Sequence, residues 1–327
     1  MANGSCMKKN ELSVVIPCYR SGGNLRPLYE RLMPILDALA VDYEIIFVED
    51  GGGDSTWEEI CLLALRDGRI RGIKLARNYG QHNALLCGIR AATGEIIITM
   101  DDDLQNPPEE IHKLLAKIRE GYDVVYGTPE EENHGFLRNA ASRITKIALQ
   151  SAMGVASASK VSAFRAFKRK LCAAFDAYRS PTVNIEVLLS WATTSFSSVS
   201  VRQDKRISGE SGYTLRKLMA HAINMMTGFS TLPLRVASMI GLVFACGGGV
   251  VLAYVIARYL ISGSAVPGFS FLASIVSIFS GVQLFALGII GEYLSRMHFR
   301  MMERPPYAVD VIFEVSKSAL APEIRSE

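Results

Sequence analysis

Three consecutive acids, Asp101, Asp102 and Asp103, follow the β-branched run Ile96-Ile97-Ile98-Thr99 and precede Leu104-Gln105-Asn106-Pro107-Pro108. Two carboxylates one residue apart on an extended chain point the same way and can share a hard divalent cation such as Mg2+ or Mn2+. On that alternation Asp101 and Asp103 form the pair, and Asp102 faces away as the dispensable acid. A solvated acidic turn has the same composition, so the choice rests on what stands beside it. Pro17-Cys18-Tyr19 and Glu49-Asp50 likewise close short apolar runs, and Leu75 to Ala84 carries Arg77, Gly80 and Asn83 before a helical stretch. Backbone N–H groups at such a strand-to-helix loop suit an anion. A cation-holding acid pair beside an anion-holding loop points to a diphosphate-containing ligand.

The elements that must position these groups alternate. Residues 13–16, 43–48, 70–75, 96–100 and 123–126 read as buried strands, and residues 25–39, 56–66, 83–92 and 108–120 as helices. This series predicts an α/β fold with a mostly parallel sheet flanked by helices, whose ligands lie outside the carboxyl ends of the strands. No G-x-G-x-x-G stands where a dinucleotide fingerprint would, which disfavours a dehydrogenase. Residues 128–138 read as a loop over the site or a plain surface connection. Phe164, Phe167, Leu171, Phe175 and Tyr178 share a helical face beside Arg165, Lys168, Arg169 and Lys170, and Leu215, Leu218, Met219, Ala222, Met226 and Phe229 share another beside Arg216 and Lys217. Each reads as a core-packing helix or one lying on a bilayer surface.

The membrane enters through the last third. Val236 to Ala257 and Phe269 to Gly291 contain no charged residue and are long enough to cross a hydrocarbon core of ~30 Å. Arg216, Lys217, Arg235, Arg296, Arg300 and Arg304 lie outside this hairpin and Arg258 alone in its loop, so the positive-inside rule places both ends in the cytoplasm. Small residues at Gly241, Ala245, Gly249, Ala253 and Ala257 predict close approach of another helix, from the second span or another subunit. The net charge of +3 over 327 residues gives no argument for a nucleic-acid partner. Six scattered cysteines without a C-x-x-C pair read as reduced thiols of a cytosol-facing protein. The expected organisation is a catalytic domain over 1–210, an amphipathic interface helix over 211–232, two spans within 233–293 (about 234–258 and 269–291), and a cytosolic tail over 294–327. In that tail Val309, Val311 and Phe313 alternate with Asp310, Ile312 and Glu314, which reads as a disordered tail or, over 309–315, as a strand pairing with another subunit's edge.

Val14-Val15-Ile16-Pro17-x-Tyr19, Val48-x-Asp50-Gly51, Arg77-Asn78-Tyr79-Gly80-Gln81 and Asp101-x-Asp103-Leu104-Gln105-Asn106-Pro107-Pro108-Glu109 together resemble the family 2 glycosyltransferases of GT-A fold. Within that family the chain is similar to the polyprenyl-phosphate glycosyltransferases, through Arg206-x-x-Gly209-Glu210-Ser211-x-Tyr213, the two spans, Gly291-Glu292-Tyr293-Leu294 and Arg304-Pro305-x-Tyr307. The resemblance implies inverting transfer of one sugar from a nucleotide-diphosphate-sugar, expected to be a UDP-sugar, to a polyprenyl phosphate, expected to be undecaprenyl phosphate. It also implies a bacterial inner membrane, while the small-residue stripe and the tail point to a homo-oligomer. By carry-over, Pro17, Tyr19, Asp50 and Arg77 bind the donor, and Asp101 and Asp103 hold the Mg2+ or Mn2+ and the diphosphate. Gln105 supports the metal shell, and Arg138, Ser142 and Arg206 meet the phosphates, Arg206 with a catalytic part.

Two other readings are weighed beside it. A processive polysaccharide synthase would carry Gln-x-x-Arg-Trp, and neither Trp57 nor Trp191 stands in that context. A catalytically silent nucleotide-sugar-binding membrane protein is suggested by three departures. Arg20-Ser21 replace the usual Asn-Glu, Thr128-Pro129 stand where an arginine is common, and Ala163-Phe164-Arg165 lack the usual preceding acid.

Overall fold

A computed structural model describes residues 10–39, 41–129, 161–204, 231–262 and 269–315. In chain order they form β1 (Leu12–Cys18), α1 (Gly22–Ala38), β2 (Tyr43–Glu49), α2 (Thr56–Arg66), β3 (Ile70–Leu75), α3 (Gln81–Ala91) and β4 (Ile96–Thr99). Next come α4 (Ile111–Arg119), β5 (Val124–Pro129), β6 (Arg165–Lys168), α5 (Ile185–Ala192), β7 (Phe196–Val201), α6 (Leu232–Ser262), α7 (Phe269–Met301) and β8 (Val309–Glu314). The chain divides into two compact units, one holding the sheet together with the residues from 303 onward, the other holding α6 and α7.

All seven residues of β1 and all seven of β2 are buried. Strands covered on both faces need such unbroken apolar runs, and they form the centre of a sheet ordered β7-β5-β6-β4-β1-β2-β3-β8. β4, β1, β2 and β3 run parallel, β6 is antiparallel to β4 and β5, and β8 is antiparallel to β3. This is the α/β sheet flanked by helices that the alternating series predicts, and it brings the carboxyl ends of β1, β2 and β4 to one edge. α1 buries Leu25, Leu28, Leu32, Met33 and Leu36 against the sheet, each worth roughly 1.5–3 kcal/mol of apolar burial. On the other face α3 lies close over β1, because a Cβ at Gly88 would stand 2.4 Å from Val15 Cγ1. That close seat fixes the helix whose first residue, Gln81, reaches the acidic cluster.

Two expectations change. The stretch from Phe164 to Tyr178 is not an amphipathic helix: residues 165–168 form β6, inserted between β4 and β5, and residues 169–174 a 3-10 turn. Phe164, Phe167, Leu171 and Phe175 are core residues, at 0 %, 0 %, 5 % and 2 % exposure, so no bilayer surface is left to them. The 309–314 strand pairs with β3 of its own chain, with Ile312 opposite Ile73, in place of another subunit's edge. In the hairpin, Pro233–Ile261 and Ile278–His298 are long and apolar enough to cross a membrane. α6 and α7 meet there through Gly248, whose Cβ would lie 2.9 Å from the Phe279 ring, while Gly241 and Gly249 face open space. The contact within this hairpin thus falls beside the small-residue stripe, and Phe279 also meets Phe244 edge to face at 6.1 Å. The 211–232 segment lies almost wholly outside the described residues.

Candidate active site

The carboxyl ends of β1, β2 and β4 enclose a cavity of about 590 Å³. Pro17 at the end of β1 and Tyr19, Arg20 and Ser21 just after it line the cavity, with Asp50 just after β2, Asn78 and Gly80 of the β3–α3 loop, Gln81 at the start of α3, and Asp101, Asp102 and Asp103 after β4. Four segments far apart in sequence thus converge as the strand-end argument required.

Asp50, 3 % exposed, builds one wall rather than projecting into the space. Its two carboxylate oxygens accept from the backbone N–H groups of Tyr79 and Gly80 at 2.7 and 2.8 Å. Burial pushes its pKa up, against the pull of those two N–H donors. Gly51, at φ +64°, lets the same turn touch the neighbouring loop, since a Cβ there would fall 2.4 Å from the Arg77 carbonyl carbon and the Asn78 nitrogen. Only glycine adopts this backbone without cost and leaves room for that contact. Arg77 itself is exposed, does not line the cavity, and stacks over the Tyr79 ring at 4.6 Å. Arg20, also in the left-handed region at φ 56°, holds the Gly52 carbonyl with Nε at 3.3 Å.

The acidic cluster differs from the alternation argument. β4 ends at Thr99, so residues 101–103 lie on a turn that closes at Leu104 with φ 61°, and the two-residue period of a strand no longer applies. All three acids therefore face the cavity. Asp102 accepts from the Ser21 hydroxyl, and Ser21 in turn accepts from the Tyr19 N–H at 3.1 Å and donates its own N–H to Thr56 Oγ1 at 2.8 Å. The acid read as dispensable is the tie between the β4 turn and the start of α1. Asp101 accepts from Gln81 Nε2 at 2.6 Å. Burial, then the charges of Asp103 and Asp102, push the Asp101 pKa up to about 7. Burial also raises Asp102, to about 6, despite the Ser21 hydrogen bond.

Gln105 supports the turn through its backbone: its N–H reaches Asp103 Oδ1 at 3.1 Å and its carbonyl accepts from the Asp204 N–H at 2.9 Å. Its side chain does not line the cavity. Arg31 braces the same region from α1, paired with both oxygens of Glu109 and with Asp204. Arg138, Ser142 and Arg206 lie outside the described residues.

The donor set suits a divalent cation. Two hard carboxylates, Asp101 and Asp103, share a site where negative charge is concentrated enough to raise Asp101, and Mg2+ or Mn2+ is commonly held by one or two carboxylates with substrate phosphates completing the shell. Among the described residues no group of three or more acids, histidines or cysteines forms a complete protein cage.

One buried group was not legible in the chain. Arg165, 1 % exposed, sits on β6 opposite Thr99 and pairs with Glu186 at 2.8 Å. Its signal in the sequence, a lone arginine between Phe164 and Ala166, reads as a solvated face of a helix.

A model of glycosyl transferase family 2 matches residues 13–175. The undecaprenyl-phosphate 4-deoxy-4-formamido-L-arabinose transferase of Pseudomonas paraeruginosa is 34 % identical over 312 residues, covering 94 % of this chain and 92 % of its own. The protein of that name from Proteus mirabilis is 33 % identical over 313 residues, covering 95 % and 96 %. Among solved structures, glucosyl-3-phosphoglycerate synthase from Mycobacterium tuberculosis with Mn2+, uridine-diphosphate and glucosyl-3-phosphoglycerate aligns at TM-score 0.48 and 18 % identity, over 67 % of this chain and 78 % of that one.

Proposed function

The chain belongs to glycosyl transferase family 2, and on that premise we propose that it transfers a single sugar from a nucleotide-diphosphate-sugar, a UDP-sugar, to undecaprenyl phosphate. The observation that carries this reading is the acidic turn facing one cavity with the loop held by Asp50. Full-length similarity to two undecaprenyl-phosphate sugar transferases, spans included, favours a lipid acceptor over a soluble one.

The chemistry asks little proton transfer of the protein. A lipid phosphate, with a second pKa of about 6, is largely dianionic near neutral pH. One of its oxygens attacks the anomeric carbon, the bond from that carbon to the diphosphate oxygen breaks, and the electron pair leaves with the nucleoside diphosphate. Attack from the far face inverts the anomeric configuration. What the chain must do is hold two anions together and receive the departing charge. Asp101 and Asp103 would hold a divalent cation, which supplies charge neutralisation at the diphosphate. Gln81 fixes Asp101, the Asp50-bound loop shapes the nucleotide wall, and Asp102 locks the β1 and β4 turns together. Arg138, Ser142 and Arg206 take the remaining phosphate contacts in this reading.

The arginines flanking the spans, Arg235, Arg296, Arg300 and Arg304 against Arg258 in the hairpin loop, support a catalytic unit on the cytoplasmic side of a bacterial inner membrane. The test of the site is Asp103→Asn in purified full-length protein with radiolabelled UDP-sugars, undecaprenyl phosphate and Mn2+. Labelled lipid should disappear while thermal stability is retained, and full activity of the variant would remove Asp103 from the reaction.

A further inference from the structure

Three groups beside the acidic cluster take no part in the reaction as described above. Arg165 donates Nη1 to Glu186 Oε1 at 2.8 Å and Nε to Thr99 Oγ1 at 3.0 Å, with both ends of this pair buried. Glu186, in the first turn of α5, leaves its second oxygen, Oε2, without a hydrogen-bond partner, 3.7 Å from His82 Nδ1. The Ile185 N–H approaches the same His82 nitrogen at 3.4 Å. His82 is the second residue of α3 and follows Gln81, which donates to Asp101. Thr99 is the last residue of β4 and stands two residues before Asp101. His82 thus meets α5 by accepting the Ile185 N–H, and the next residue, Glu186, continues through Arg165 to Thr99, so this run through the start of α5 joins the two elements that converge on Asp101, the helix start that supplies its hydrogen-bond donor and the strand end that supplies its backbone.

We propose that Arg165, Glu186 and His82 are positioning residues that hold Asp101 in place for the divalent cation and diphosphate of the donor. The inference rests on the metal and diphosphate reading given above. A buried ion pair gains little net stability over apolar side chains of similar volume, so a pair built against the reacting edge is better explained by the geometry it imposes. Outer partners of this kind set the orientation of a metal's ligands, and their loss weakens metal affinity by about 10- to 100-fold.

The experiment measures Mn2+ binding to the full-length protein in detergent by electron paramagnetic resonance, with and without UDP, so no turnover is needed. Thr99→Val cuts the run at β4, His82→Ala cuts it at α3, and Arg165→Met with Glu186→Leu removes both charges together. Each should raise the Kd for Mn2+ by about tenfold or more, leaving UDP binding in EDTA within about twofold and thermal stability retained. A merely structural role would lower stability and UDP affinity together. Wild-type protein that binds Mn2+ and variants that match it within twofold would overturn the inference alone. A wild type that binds no Mn2+ would overturn the metal reading and this inference with it. Should the double variant fail to fold, the two single ones decide.

Discussion

Asp50→Asn tests how the nucleotide wall is built. Both Asp50 oxygens accept a backbone N–H, at 2.7 and 2.8 Å, and the residue is 3 % exposed. Asparagine keeps one acceptor and turns an NH2 group toward the other N–H. One hydrogen bond to a charged group, about 1.5–3 kcal/mol, is lost and a buried donor is stranded. If about 2 kcal/mol of that is the cost of restoring the loop for ligand, UDP affinity falls roughly 30-fold. Calorimetric titration of UDP into wild type and variant, with Mn2+ present, reads this directly. The same loop can be disturbed without touching any ligand: Gly51→Ala places a Cβ 2.4 Å from the Arg77 and Asn78 backbone, at a φ that costs a further 1–2 kcal/mol or about that. If Asp50 acts through the loop, the two substitutions weaken UDP binding alike and combine non-additively. Additive losses, or an Asp50→Asn Kd within twofold of wild type, would refute the reasoning.

Asp102→Ala should lower kcat/KM for lipid glycosylation by about tenfold or more, a difference of about 1.4 kcal/mol, because it frees Ser21 and the start of α1 from the β4 turn; a rate within twofold of wild type would return Asp102 to a dispensable acid. Asp101, pushed up to about 7, binds a proton in the metal-free folded protein that the unfolded chain releases near pH 4, so this group's contribution to stability declines as pH rises from about 4 to 7. The cation competes for that same oxygen, and Mn2+ should bind roughly fivefold more weakly at pH 6 than at pH 7, where a flat profile would contradict the burial and charge argument. Arg165→Met alone leaves the Glu186 carboxylate unpaired in the core and should cost about 3–5 kcal/mol by denaturant unfolding, while Arg165→Met with Glu186→Leu should recover most of it.

The parallel half of the sheet could be read from the chain because β1 and β2 are buried end to end, and a strand covered on both faces has no choice but an unbroken apolar run. The acidic turn and Asp50 were visible for the same reason: polar residues that interrupt such runs at their carboxyl ends stand where ligands bind. What failed was local periodicity pushed past its range. The alternation of Asp101, Asp102 and Asp103 assumed a strand that stops at Thr99. Phe164 to Tyr178 has helical spacing by coincidence, and its true partners, β4 and β5, are tens of residues away, so nothing within the segment reports the insertion. Arg165 was hidden likewise, because the residue that neutralises it is Glu186, on a different element. What the sequence could not show for Asp50 is its tie to the neighbouring loop, whose Tyr79 and Gly80 N–H groups its two oxygens accept, because those donors come from a segment about thirty residues on.

The most direct test of the account is the product itself. Purified full-length protein is incubated with undecaprenyl phosphate, Mn2+ and a panel of nucleotide-sugars that includes UDP-linked 4-deoxy-4-formamido-L-arabinose, the sugar in the name of its relatives, and the lipid fraction is analysed by mass spectrometry. The account predicts a lipid heavier than undecaprenyl phosphate by one sugar residue, formed with release of UDP. A ladder of polymer masses, or unchanged lipid with every UDP- and GDP-sugar while nucleotide binding persists, would contradict it.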